Sequence, residues 1–161
     1  MGRDEVAGEV FGGERAGEVR VWEEGDAVTA LKYSYLFWPC LVEVDGAVFV
    51  RLDGNSDSGL AELVKERAVG YRGGWADCVD SYNRFEVEQL FRAWHGQREW
   101  DGELHWELGE VLVRTWRARL AEGYPDRRFE VLLLEPEDGF GTRIDVRQVT
   151  PAVVTPDWWR G

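Results

Sequence analysis

The pair Asp45-Gly46 divides LFWPCLVEVDGAVFVRL, residues 36–52, the densest apolar run in the chain. A type I′ turn needs φ > 0 at both central residues, and Asp-Gly supplies this at little steric cost, so the run predicts a β-hairpin. That turn fixes the register. Val44 faces Ala47, Val42 faces Phe49 and Cys40 faces Arg51. Glu43 with Val48, Leu41 with Val50 and Pro39 with Leu52 lie on the other face. Both faces are mostly apolar, which predicts a hairpin central in a sheet and covered on both sides.

Around it the chain reads as strands, then helices, then strands. Residues 9–37 are strand-like with glycine punctuation: residues 18–22 alternate, and Thr29, Leu31, Tyr33, Tyr35 and Phe37 recur at every second position. A helix beginning at Asp26 as N-cap is the competing expectation for the second of these. Residues 53–59, DGNSDSG, form a loop by composition, residues 60–67 a short helix, and residues 69–79, broken by Gly70, Gly73, Gly74 and Asp77, an irregular stretch.

Asn83 and Glu86 have capping-box spacing, and Tyr82 with Val87 stand as a hydrophobic staple. Val87, Leu90, Phe91 and Trp94 continue at helical spacing, so a helix is expected over about 84–95, stopped at Gly96. A longer helix is expected over 103–122. Its stripe is Leu104, Leu108, Val111, Leu112, Trp116 and Leu120, widened by Trp106 and Val113 and ended by Gly123 and Pro125. Glu110 and Arg114 form a favourable i, i+4 pair on it. FEVLLL, residues 129–134, is a buried strand, and residues 143–147 alternate like a strand wet on one face. The order favours an α+β class over a parallel doubly wound sheet. The expectation is one domain over 1–161, with a mainly antiparallel sheet, the hairpin at its centre, packed against the two main helices.

At 161 residues a chain can bury a sizeable core without staples, and 44% hydrophobic with 31% charged residues is ordinary for a soluble protein. Nine tryptophans are not ordinary, and they predict an aromatic core or an aromatic recognition surface. The net charge of -12 argues against phosphate neutralisation, hence against nucleic acid as a partner, and suits a basic protein partner drawn in by long-range attraction. No apolar run spans a bilayer, and the N-terminus lacks the pattern of a secretory signal, so a cytoplasmic location with no membrane partner is expected. Cys40 and Cys78 make no disulfide framework, and Cys40 reads as a small buried thiol in the hairpin.

The chemistry-bearing patterns are few. Asp53, Asn55 and Asp57 place oxygen ligands at alternate positions, as a Ca²⁺ loop requires. Ser58 replaces the needed glycine and Val64 the bidentate glutamate, so a polar turn is the stronger reading. Trp94, His95, Trp100, Asp101, His105 and Trp106 gather between the two main helices, where Asp101 and His105 stand four apart. No zinc-type spacing supports a metal there, and an aromatic helix junction is the plainer reading. There is no nucleophile elbow and no phosphate loop. Trp158 and Trp159 cannot both enter a core from a strand, so one marks a surface or subunit contact unless the tail folds back into a groove.

The expectation is therefore a non-catalytic acidic domain that binds another protein, with a toxin-neutralising immunity protein or another stoichiometric inhibitor as its concrete form. No cofactor is expected, and the oligomeric state is not readable. The alternative is a small-molecule pocket or enzyme site lined by Tyr33, Tyr35, Trp38, Trp94, Trp100 and Trp106, with His95, His105 and Asp101 as its polar groups.

Overall fold

The computed structural model describes residues 27–52, 59–68, 71–90, 102–137 and 139–160. In chain order they form α1 (Ala27–Phe37), β1 (Cys40–Val44), β2 (Ala47–Arg51), α2 (Leu60–Ala68) and α3 (Trp75–Tyr82). Then come β3 (Arg84–Glu86), α4 (Val87–Leu90), α5 (Gly102–Gly123), β4 (Arg128–Leu134) and β5 (Arg143–Thr150). The fold is α+β with two antiparallel sheets, β1-β2 and β3-β5-β4. No helix among the described residues is long and apolar enough to cross a membrane.

The hairpin forms in the register its turn dictates, with Val44 opposite Ala47, Val42 opposite Phe49 and Cys40 opposite Arg51. Asp45 and Gly46 take φ of 48° and 80°, the left-handed values a type I′ turn demands. Its position differs from expectation. Among the described residues the hairpin is not the centre of a larger sheet but a two-stranded sheet of its own, standing as a wall between two hydrophobic cores. Val48 and Val50 face one core with Leu36, Leu112, Trp116, Leu120, Val131, Ile144 and Val146. Val42, Val44, Ala47 and Phe49 face the other, with Leu60, Val64, Trp75, Cys78 and Val79.

Such a wall has an edge, and burial makes that edge costly unless its backbone groups are paired. Val44 and Ala47 close the turn as a hydrogen-bonded pair, so Val48 and Val50 turn their backbone groups away from β1. Two side-chain amides meet them. Asn83, 2% exposed, donates from Nδ2 to the Val48 carbonyl at 2.8 Å and accepts at Oδ1 from the Val50 N–H at 3.0 Å. Gln148 accepts from the Val48 N–H at 3.3 Å and donates to the Gly46 carbonyl at 3.1 Å. The Asn83 carbonyl in turn accepts from the Val146 N–H at 3.0 Å. Asn83 and Gln148 thus couple the hairpin to the second sheet.

That role explains a second departure. Asn83 does not cap a helix over 84–95. Its own N–H closes α3 on the Val79 carbonyl, its side chain is engaged by β2, and Arg84, Phe85 and Glu86 pair with Asp145, Ile144 and Arg143 as a strand. Only 87–90 are helical, and 91–95 lie outside the described residues. Residues 27–37 form the competing helix rather than a strand. Tyr33 and Phe37 meet at i, i+4, ring centroids 6.3 Å apart, a contact that helical rather than strand geometry provides. Within 69–79 the expected irregularity gives way to α3. Asp77 acts as a helix-start residue, its carboxylate accepting from the Gly74 N–H at 2.9 Å.

The long helix falls where its periodicity places it, and the Tyr124 N–H closes its end on the Leu120 carbonyl. Its buried stripe is His105, Gly109, Leu112, Val113, Trp116 and Leu120, so His105 and Gly109 take places expected of Leu108 and Val111. Gly109 is there for space: a Cβ would lie 2.5 Å from Leu133 Cδ1, and its absence lets α5 settle onto β4. β4 forms over FEVLLL, but it is not the buried strand expected there: only Val131 is buried, and Leu132 is 37% exposed. β5 departs in part from its expected wet face: Arg143 and Asp145 are buried among the side chains of Arg84 and Glu137, while Arg147 on the same face stays exposed.

Candidate functional site

Within the β3-β5-β4 sheet, the Val146 N–H bonds to Asn83 on the β3 side, so Val146 turns its backbone groups away from β4. Its partner Val131 must then turn its own outward, as must Leu133 opposite Ile144. β4 is thus an edge strand. Among the described residues its outer side meets no strand, and what borders it instead is an open groove of about 530 Å³. The groove is lined by Trp106, Glu107, Glu110, Val113, Arg114 and Arg117 of α5 and Leu133 of β4.

The ends of the groove differ in charge. α5 and β4 run in opposite directions, with Gly109 beside Leu133 and Arg117 reaching Val131. Trp106 and Glu110 therefore stand near Leu133, and Arg114 and Arg117 stand toward the start of β4. Val113 supplies an apolar floor between them. Arg117 donates from Nη2 to the outward Val131 carbonyl at 2.6 Å, meeting with a side chain a group that no described strand meets. Arg114 donates from Nε to the Glu110 carbonyl at 3.3 Å, and Glu110, an exposed residue, lines the groove. Leu132, on the opposite face of the same edge, is 37% exposed. An open strand edge beside a helix is the setting in which domains add an extended peptide as a further strand.

The opposite face of the sheet carries a charge network. Asp145, buried, accepts from Arg84 Nε at 3.1 Å and Nη2 at 3.3 Å, with Arg143 and Arg147 within ion-pair reach at 3.8 and 3.7 Å. Arg143 also donates to Glu137, and Arg147 lies 3.4 Å from Asp80. Three guanidiniums against Asp145, Glu137 and Asp80 make a balanced set, which gives an added anion no net advantage. Burial pushes the Asp80 carboxyl up, Arg147 pulls it down, and Asp145 and Asp77 push it up again.

A folded pKa above the unfolded one means that Asp80 contributes its stability below the ordinary aspartate range and loses it as pH rises through the folded value. Asp80→Asn should therefore raise the melting temperature at neutral pH and leave it unchanged well below that range. A variant less stable than the parent at neutral pH would show that the Arg147 pair outweighs burial.

The tail makes a third cluster. Trp158 and Trp159 are both half-buried, with ring centroids 5.4 and 5.3 Å from Trp75. The strand argument against burying both does not apply, because a turn from Pro156 to Trp159 brings adjacent indoles onto one ring. Trp158 Nε1 donates to Asp45 at 2.7 Å, and Lys65 Nζ lies 5.3 Å from its ring centroid. The pair packs the tail against the hairpin turn, the folded-back arrangement given above as the alternative to a surface contact.

Of the other candidates, Trp94, His95, Trp100, Asp101, Asp53, Asn55 and Asp57 lie outside the described residues. His105 is buried on α5, its Nδ1 3.6 Å from Glu88 Oε1. Trp106 lines the groove, whereas Trp38 lies against Arg119, thirteen residues or about 20 Å further along α5. The described members of the expected aromatic pocket thus do not share one cavity. Among the described residues no group of three metal-ligating side chains converges. Cys40 and Cys78 are both free, and burial pushes the Cys78 thiol up, away from nucleophilic reactivity.

Sequence reasoning missed Glu110, Arg114, Arg117 and Leu133 as site residues. The available signal was FEVLLL itself, whose three leucines break the alternation of a strand covered on one face only. The chain matches no family model, no curated protein and no solved structure.

Proposed function

We propose that this chain is a non-catalytic protein-binding domain that seats an extended segment of a partner in the groove between α5 and β4. The observation that supports it is the outward backbone of Val131 and Leu133, which meets no neighbouring strand among the described residues and lies beside a groove built for side chains. Main-chain hydrogen bonds to such an edge supply affinity, and the groove supplies selectivity. The net charge of -12 favours a basic partner and a fast, salt-sensitive encounter. An inhibitor that neutralises a basic protein stoichiometrically, as an immunity protein does, is the concrete form of this reading. It needs a fitted surface and no reaction.

The test selects binders to the full chain from a displayed random peptide library, then maps them by amide chemical shifts. Selected peptides should perturb Val131, Leu133 and the facing residues of α5, and their association should slow as salt rises. Binders that map elsewhere, or a library that yields none, would contradict the reading.

A further inference from the structure

The groove has a polarity, and polarity selects sequence. Resting on the peptide-binding reading above, we infer that the groove takes a strand antiparallel to β4 with a basic, an apolar and an acidic side chain at alternate positions, in that order. The occupant is a segment of a partner protein carrying this pattern.

The register follows from geometry. A strand added to β4 places the residue opposite Leu133 on the same face as Leu133, toward α5, and so also those opposite Val131 and Phe129. These are its positions i, i+2 and i+4 when it runs antiparallel, the more stable pairing per residue. Position i meets Trp106 and Glu110, which together suit an ammonium or guanidinium: a carboxylate for its charge and an indole face for the cation. Position i+2 lies over Val113. Position i+4 meets Arg114 and Arg117. The spacing agrees, since Glu110 to Arg117 spans about 10.5 Å of helix rise. Four residues of strand span about 13 Å, and the length of an arginine side chain covers the difference.

Arg117 gives the site a built-in exchange. In the free chain its guanidinium holds the outward Val131 carbonyl. An arriving strand offers that carbonyl a backbone N–H and offers Arg117 a carboxylate, so both partners end better matched than they began. A segment with the charges reversed would set its acid against Glu110 and its base against Arg117.

The experiment titrates two blocked heptapeptides of identical composition, TKTVTET and TETVTKT, into the labelled full chain. The first should bind about tenfold tighter, because two exposed charge pairs are made in one and opposed in the other. Its shifts should centre on Val131, Leu133, Glu110 and Arg117. The double exchange Glu110→Lys with Arg117→Glu, at two exposed positions, should invert the preference. Equal binding of both peptides at the β4 edge would overturn the polarity and leave the peptide-binding reading intact. Failure of both peptides, with library binders still mapping to the groove but lacking the pattern, would do the same. Failure of both with no library binders would remove both readings. A chain that sediments as a dimer through β4 would place a second copy in the groove and overturn the inference.

Discussion

Asn83→Leu is expected to lower the unfolding free energy by about 2–6 kcal/mol, because it leaves two buried backbone groups of β2 without partners. Leucine matches asparagine in shape, so the loss reports hydrogen bonding rather than a cavity. The Val50 N–H loses its acceptor and the Val48 carbonyl its donor, both inside the boundary of the two cores. The Asn83 backbone bond to Val146 survives, which keeps the β3-β5 ladder in place. The damage should therefore concentrate on the hairpin. Urea unfolding should show a lower midpoint, and amide exchange should rise at Val48 and Val50 before Ile144 and Val146. A variant within about 0.5 kcal/mol of the parent would show that the Asn83 side chain adds little to the joint between the two sheets, which the Gln148 bonds and apolar contact then hold.

Trp75→Ala is expected to cost about 3–5 kcal/mol, the usual range for deleting a fully buried large aromatic. Trp75 is 1% exposed and meets Phe49 of the hairpin at 6.1 Å as well as Trp158 and Trp159 of the tail. Its removal should do more than open a cavity. With the ring gone, the tail keeps the Trp158 bond to Asp45, the Lys65 contact, the ring contact of Tyr71 with Trp159 and the Gln148 bond to the Pro151 carbonyl, all near the surface and individually weak. Limited proteolysis should then cut within 151–160 faster than in the parent. Trp75→Phe should cost less and retain the tail, since the buried Trp75 Nε1 has no hydrogen-bond partner to lose among the described residues. Equal tail cleavage in parent and Trp75→Ala would show that the tail is fixed by other contacts.

How far the sequence could be read depends on which forces were local. The hairpin register was legible in full because a type I′ turn imposes it from two residues, Asp45 and Gly46, whatever surrounds them. α5 was legible because a helix of 22 residues repeats its apolar stripe often enough to outvote exceptions such as His105 and Gly109. Asn83 was misread for the opposite reason. Its capping-box spacing to Glu86 is a local signal, and it lost to backbone groups on Val48 and Val50 more than thirty positions away. Asp77 was read as a breaker because carboxylates at turns and at helix starts look alike without the chain that follows.

The candidate site was the least legible part. Trp106 was singled out, but as one wall of an aromatic pocket whose other described members lie elsewhere. Glu110 and Arg114 were read as a surface pair, and Arg117 drew no notice. Their meaning comes from β4 lying at the edge of the sheet, and strand order is set by long-range pairing that no window of sequence contains. FEVLLL reads as buried in any strand position. Only the topology, with β5 between β3 and β4, leaves one side of it open among the described residues.

Amide hydrogen exchange along β4 in the free, full chain tests that openness most directly. Leu132 and Leu134, whose backbone groups pair with Asp145 and Arg143, should be protected, while Val131 and Leu133 between them should exchange far faster. Protection as strong at Val131 and Leu133 as at Leu132 would mean that the edge is already filled, and the groove could not seat a partner strand.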